Sequence, residues 1–456
     1  MNGLCAIMNG PMAWDMECFV TPQTMNAGLS DRLFEIKKRH ADAFSWLDGQ
    51  QAAMVDQVIA WSKINSGSGN LDGLQRMGET LEDAFAKTGA DCTLLPLSPV
   101  RMINMKGEEQ PLELGPCRLF SIRPQAPRRI LLTGHIDTVF AADHPFQTPR
   151  WLDDQTLNGP GVADMKGGLI VMLYALLAVE RSGAWKDFDL NDFDLNDFGW
   201  DVLISADEEI GSLGSAAYLA ERAAFARIGL TYEPALADGT LAGARKGSGN
   251  FSFVIRGRAA HAGREFALGR NAVVMMAQLI TRLDALNGQR SGVTINPAVI
   301  AGGAAPNIVP DCAVIRFNVR VETDADAQWV REGLMAISED IGAREGFQIS
   351  LHGDFNRPPK PIGPRNQALF DIVSACGEAM DIGISYRATG GCCEGNNLAA
   401  ANLPNVDTLG VRGGDIHSAD EYVLVESFAE RARLSALIIF GFAHGAFDDL
   451  LIGEGA

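Results

Sequence analysis

Ile130-Leu131-Leu132-Thr133-Gly134-His135-Ile136-Asp137-Thr138-Val139 is the stretch on which the reading of the whole chain turns. Its apolar first half, behind Arg128 and Arg129, has the composition of a short buried strand. Its second half presents a histidine and a carboxylate two residues apart. Alternate residues of extended backbone face the same side, so His135 and Asp137 are expected to point off one strand end into one cleft, a metal ligand beside a carboxylate that orients it. One imidazole and one acid do not make a site, and the rest of the chain must supply the other groups.

Downstream, acids recur at the ends of apolar segments. Gly159-Pro160-Gly161-Val162-Ala163-Asp164-Met165-Lys166-Gly167-Gly168 leads into an apolar run, Leu169 to Val179, that reads as a buried helix and is too short for the roughly 20 residues a bilayer span needs. A phosphate cradle competes for this glycine-rich loop, but the Walker spacing is absent and no Lys-Ser/Thr closes it. The preferred reading has the glycines admitting backbone close to an ion that Asp164 ligates; a plain helix cap at Asp164 is the alternative. The strand Asp201–Ala206 runs into Asp207-Glu208-Glu209, and Gly229–Tyr232 into Glu233. Acids there are costly without a cation, and open α/β sheets place their sites at the carboxyl ends of strands. The stretch 413–423 adds His417. A solvated acidic turn at 208–209 and a structural role for either histidine are the bland readings.

Helical periodicity covers Leu29 to Trp61 and Leu71 to Thr88. Strands are expected at Cys92–Leu97 and Arg118–Arg123. From about Lys246 to Arg357 the order becomes strand 251–257, helix 271–286, strands 293–301 and 312–322, helix 327–341 and strand 347–352. This is the βαββαβ, ferredoxin-like pattern. The α/β alternation then resumes with a helix at 367–380, a strand at 407–411 and a closing helix at 425–442. The expected fold is therefore α/β, a mixed sheet flanked by helices and interrupted by an inserted ferredoxin-like unit. Residues 1–245 and 358–456 form one domain and 246–357 the insertion.

Composition sets outer bounds. The chain has 456 residues, 47% hydrophobic and 21% charged, with a net charge of −19 that speaks against nucleic acid or anionic membrane as partners. Its eight cysteines are scattered without a C-x-x-C pair, which suits reduced thiols in a cytoplasmic protein. Met1–Cys18 lacks the basic start and apolar core of a signal peptide, and Met8, Met12, Met16 and Met25 leave the translation start open. A tandem Asp-Phe-Asp-Leu-Asn duplication within 187–198 reads as a surface-loop insertion in preference to a calcium loop.

Two imidazoles and several carboxylates, with no thiolate required, suit a pair of zinc ions. At this point the sequence resembles a known group, the two-zinc metallopeptidases that include glutamate carboxypeptidase, acetylornithine deacetylase, succinyl-diaminopimelate desuccinylase and aminoacylase. The resemblance rests on GHIDTV (134–139), GPGVADMKGG (159–168), SADEEIGS (205–212), YEP (232–234), RGRAAHAG (256–263), APNIVPD (305–311) and GGDIHSADEYV (413–423), in that order, from about residue 40 onward. Glutamate carboxypeptidase is the nearest pattern. The resemblance implies that His135 and Glu233 bind one zinc, Glu209 and His417 the other, and Asp164 both. It makes Asp137 the orienting partner of His135, Glu208 the general base, and His261 an oxyanion donor that reaches toward a partner subunit.

Arg320, Asn307, Arg357 and Lys246 are the implied contacts for a substrate carboxylate, with Arg316 on the same strand face as Arg320. The cofactors implied are two zinc ions per subunit, with cobalt or manganese as substitutes, and no nucleotide. The implied reaction is hydrolysis of an amide next to a free carboxylate, in a small peptide or an N-acyl amino acid, by a homodimer joined through the inserted lid. Release of a C-terminal amino acid leads, N-acyl-amino-acid deacylation follows, and a non-catalytic binding protein on the same scaffold is the minor alternative. One departure stands out: Cys393-Glu394 occupies a glycine-rich turn where the family often has Ser-Asp. Cys392 and Cys393 bear either on the specificity pocket or on packing. The remaining histidines His40, His144, His352 and His444 read as structural or exposed.

Overall fold

The computed structural model describes residues 27–182 and 197–451; most of the duplicated segment within 187–198 lies outside them, as do Met1–Cys18. A six-stranded sheet carries the stretch quoted above. Its order is Asp91–Leu95, Cys117–Ile122, Phe198–Ser205, Arg128–His135, Ile228–Thr231, Asn405–Val406. The last four strands are mutually parallel, and Cys117–Ile122 runs antiparallel to both of its neighbours, so the sheet is mixed. His135 lies in register with Ser205, and Thr133 with Thr231. Three adjacent parallel strands thus end at one edge, and the acids that follow them fall together there.

The helix Lys166–Arg181 is buried along every face from Lys166 to Val179, which is why its sequence shows no polar stripe. It lies in the main core with Ser427–Ala443 and the N-terminal helices. The N-terminal periodic region is three helices, Ala27–Arg39, Ala41–Asp48 and Gln51–Ser62, where the apolar spacing alone reads as continuous. The breaks fall at His40 and at Gly49-Gln50. The expected strand at 407–411 is instead the short strand Asn405–Val406 and a turn. Asp407 is fully buried as the shared partner of Arg245 and Lys360, and Thr408 takes a φ of 73°, so the chain leaves the sheet there.

The inserted pattern folds as expected. Thr294–Gly302, Cys312–Val321, Gly247–Arg256 and Gln348–Arg357 form an antiparallel sheet in that order. Ala272–Asp284 and Asp324–Gly342 cover one face around Phe253, Phe317, Leu279 and Val330. Against the other face lies a hairpin that sequence reading missed, Val100–Ile103 with Glu109–Leu112. Its Ile103 packs on Val254 and Val314. Among the described residues no helix is long and apolar enough to cross a membrane, and no cysteine is paired.

Candidate two-metal active site

Two groups of donors lie within ligating distance of one another: His135, Asp164 and Glu233, and Asp164, Glu209 and His417. Asp164 belongs to both. His135 Nε2 stands 3.3 Å from Asp164 Oδ1 and 3.7 Å from Glu233 Oε1. His417 Nε2 stands 3.2 Å from both Asp164 Oδ2 and Glu209 Oε2. Two ligands each about 2.0–2.1 Å from a tetrahedral zinc are about 3.3–3.4 Å apart, so the spacing suits ions seated between the donors. The orphaned atoms agree. His135 Nε2 and Asp164 Oδ1 are buried without a hydrogen-bond partner, a costly arrangement unless a cation fills it.

The supports of these donors explain their aim. His135 Nδ1 donates to the Asp137 carbonyl at 2.9 Å, which leaves Nε2 bare toward the acids. The Asp137 carboxylate, 3.4 Å from that ring nitrogen, accepts from the Ser68 hydroxyl at 2.8 Å and from the backbone N–H of Glu208 and Glu209 at 3.1 Å each. Asp137 therefore ties the 208–209 loop to the histidine that ends the neighbouring strand, besides orienting the ring. In the 159–168 loop the N–H groups of Gly161, Ala163 and Asp164 donate to the Glu421 carboxylate at 3.1, 3.0 and 3.0 Å. The loop's last glycines permit helix packing. A Cβ on Gly168 would stand 1.9 Å from the Tyr232 carbonyl oxygen, and one on Gly167 2.3 Å from that of Val162. Glu421, four residues beyond His417, was missed because its role exists only across the fold.

Electrostatics describe a site short of positive charge. Burial, then the Asp164 carboxylate, pushes Glu209 up to about 8. Burial pushes Glu233 up to about 7 against the pull of His135. Hydrogen bonds to Asp164 and Glu209 raise His417 to about 11. Burial opposes charge on His135, yet the neighbouring carboxylates of Glu233, Asp137 and Asp164 hold it well above the usual range. Protons and divalent cations compete for such donors. His417 has a φ of 64°, backbone that non-glycine residues adopt at a cost and that is concentrated at functional sites.

Asp164, Glu208, Glu209, Glu233 and His417 line a cleft of about 1060 Å³, together with Arg320, Arg357, Arg245 and Cys392. The structure does not bring every expected residue here. Lys246 pairs with Glu322 at 3.3 Å, and Asn307 is exposed at a turn outside the cleft lining. Arg316 turns to the Ile103 carbonyl of the missed hairpin. His261 is exposed on the inserted unit, its Nδ1 accepting from Gly263 and Arg264, and it does not line the cleft of its own chain. Cys393 caps the helix Glu394–Ala400, and Glu394 is buried with Oε1 on the Ser205 hydroxyl at 2.5 Å.

This fold and donor set are those of a metallopeptidase-type hydrolase, and the chain is similar in sequence and fold to members of the M20 peptidase family. Residues 243–345 match the model of the peptidase dimerisation domain. Carboxypeptidase G2 of a Pseudomonas species is 26% identical over 418 residues, covering 90% of this chain and 94% of that protein. Succinyl-diaminopimelate desuccinylase of Rhodospirillum rubrum is 25% identical over 393 residues, 80% of this chain and 92% of that one. An M20 metallo-carboxypeptidase from Sulfolobus solfataricus shares the fold with a TM-score of 0.64 at 16% identity, covering 86% of this chain and 99% of that one.

Proposed function

We propose that the enzyme hydrolyses an amide bond next to a free carboxylate and releases a C-terminal amino acid. The observation that carries this reading is the sharing of Asp164 between two donor groups in a cleft that also holds Glu208 and Arg320. In it, His135 and Glu233 would hold one zinc, Glu209 and His417 the second, and Asp164 would serve both. All five donors are nitrogen or oxygen, a set that cobalt or manganese also accepts. Such cations would lower the pKa of water and polarise a scissile carbonyl. Glu208 takes a proton from the attacking water on its carboxylate and delivers it to the leaving amide nitrogen. Asp137 keeps the proton of His135 on Nδ1. Arg320, with Nε on Asn318 Oδ1 and Nη1 3.0 Å from Cys392 Sγ, offers its guanidinium to the substrate carboxylate.

The second reading is deacylation of an N-acyl amino acid, favoured by the desuccinylase relatives and served by the same machinery. Residues 246–357 act as the lid and dimerisation domain, and 1–245 with 358–456 as the catalytic domain. Among the described residues the lid's outer strand Thr294–Gly302 has one neighbour only, and Val299, Ile300 and, in the short strand Ile308–Val309, Ile308 are exposed, an apolar edge suited to a second copy. In that dimer His261 serves the partner's cleft as the oxyanion donor. A panel of dipeptides and N-acyl amino acids, assayed with zinc or cobalt, tests the proposal and separates its two forms. Release of a C-terminal amino acid supports the first form. Full activity after prolonged chelation refutes the metal-dependent reading.

A further inference from the structure

We infer that Arg357 is a positioning residue for Glu208, a hinge-mounted clamp on the base and not an anchor for the substrate carboxylate; the inference rests on the hydrolase reading above. Arg357 ends the strand Gln348–Arg357, where the chain leaves the inserted sheet, and it is 2% exposed. Its Nη2 donates to Glu208 Oε1 at 2.6 Å and to the Glu208 carbonyl at 3.0 Å. Its Nη1 donates to Asn397 Oδ1 at 2.6 Å. Both terminal nitrogens of the fork are thereby committed to the protein, whereas binding an incoming carboxylate bidentately needs two parallel N–H groups free to meet it. Glu208 is gripped three times over: Asp137 accepts its N–H, and Arg357 holds its carbonyl and its carboxylate.

The grip originates at the junction between the two sheets. Asn397 Nδ2 donates to the Asn356 carbonyl at 3.1 Å. The adjacent Asn396 Nδ2 donates to the carbonyls of Lys246, where the chain enters the inserted unit, at 3.1 Å, and of Pro358, where it returns, at 2.7 Å. Two neighbouring amides of one short helix thus fix both crossings and the arginine between them. A base must stay within hydrogen-bond reach of the water it deprotonates, and a misplacement of about 1 Å costs about 100-fold in rate. The junction therefore sets the position of the carboxylate that moves the proton, and the lid's orientation is read out at Glu208.

The test is steady-state kinetics of Arg357→Met on the best substrate of the panel and on the same compound with its carboxylate amidated. A clamp on the base lowers kcat by about 100-fold, leaves KM unchanged, and keeps the wild-type preference for the free carboxylate. In a Glu208→Ala background the substitution adds no further loss, an outcome that a merely structural role does not produce. A raised KM with the carboxylate preference collapsed, an unchanged kcat, or an equal loss in the Glu208→Ala background overturns the inference. Because removing one partner of a buried ion pair is destabilising, Arg357→Lys is measured alongside and judged by the same criteria where Arg357→Met does not fold. An active wild type with a KM effect in the variant refutes this inference alone. A wild type inactive across the panel refutes the hydrolase reading, and this inference with it.

Discussion

Gly168→Ala tests the link between helix packing and the metal donors. Gly168 sits in the first turn of the helix that follows Asp164, and its would-be Cβ stands 1.9 Å from the carbonyl oxygen of Tyr232, the residue before Glu233. A carbon–oxygen contact needs about 3.3 Å, so helix and strand must part by about 1.4 Å. The obstacle is backbone and cannot rotate away. Alanine gains about 1 kcal/mol of helix propensity over glycine, and overpacking of this kind costs about 1–3 kcal/mol. The net effect is a loss of about 0–2 kcal/mol in urea denaturation. The separation opens between Asp164 and Glu233, two members of one donor group, so zinc affinity falls by about 10–100-fold in competition with a fluorescent chelator. Gly383→Ala, with nothing within 4 Å of its would-be Cβ, is the control and leaves both measurements unchanged. A Gly168→Ala protein with wild-type stability and zinc affinity refutes the reasoning.

Three further outcomes are expected. Glu421→Gln replaces one carboxylate oxygen by an NH₂ that faces either the N–H of Gly161 or those of Ala163 and Asp164. It costs about 2–4 kcal/mol of stability in urea and lowers the metal content measured after dialysis. Glu208→Ala retains its metal by elemental analysis yet loses turnover by about 100-fold or more; wild-type turnover in a metal-loaded Glu208→Ala protein removes the base assignment. Acid sensitivity follows from the pair His40 and His444, whose Nε2 atoms are 2.7 Å apart. Burial, with His444 and Arg39, holds His40 down at about 3, and burial with Arg39 holds His444 at about 4. The unfolded chain binds these protons below about pH 6.5 and the folded chain does not, so their stabilising contribution is complete above pH 6.5 and declines as pH falls toward 4. His40 alone accounts for about 2 kcal/mol lost between pH 7 and pH 5, and His40→Gln flattens that slope in urea denaturation.

The sequence by itself determined most of the elements and singled out the candidate donors. An apolar run that stops at a histidine or an acid is a local pattern, and His135, Glu209 and Glu233 each sit where a run stops. The βαββαβ order of the insertion was legible for the same reason, since periodicity and length mark each element separately. What tertiary structure alone decided is who holds the donors. Glu421 reaches three N–H groups more than 250 residues away in sequence, and Arg357 reaches Glu208 across 149. Neither pairing leaves a spacing in the sequence. The glycines of 159–168 were legible as a demand for close approach, but the atom approached is a backbone carbonyl, Tyr232 or Val162, that only the packed helix brings near. The hairpin 100–112 and the turn at Asp407 were missed because contacts with distant partners decide them. Local periodicity records what a segment must bury. It does not record which distant polar group will be waiting there, because that choice is made when strands and helices pack.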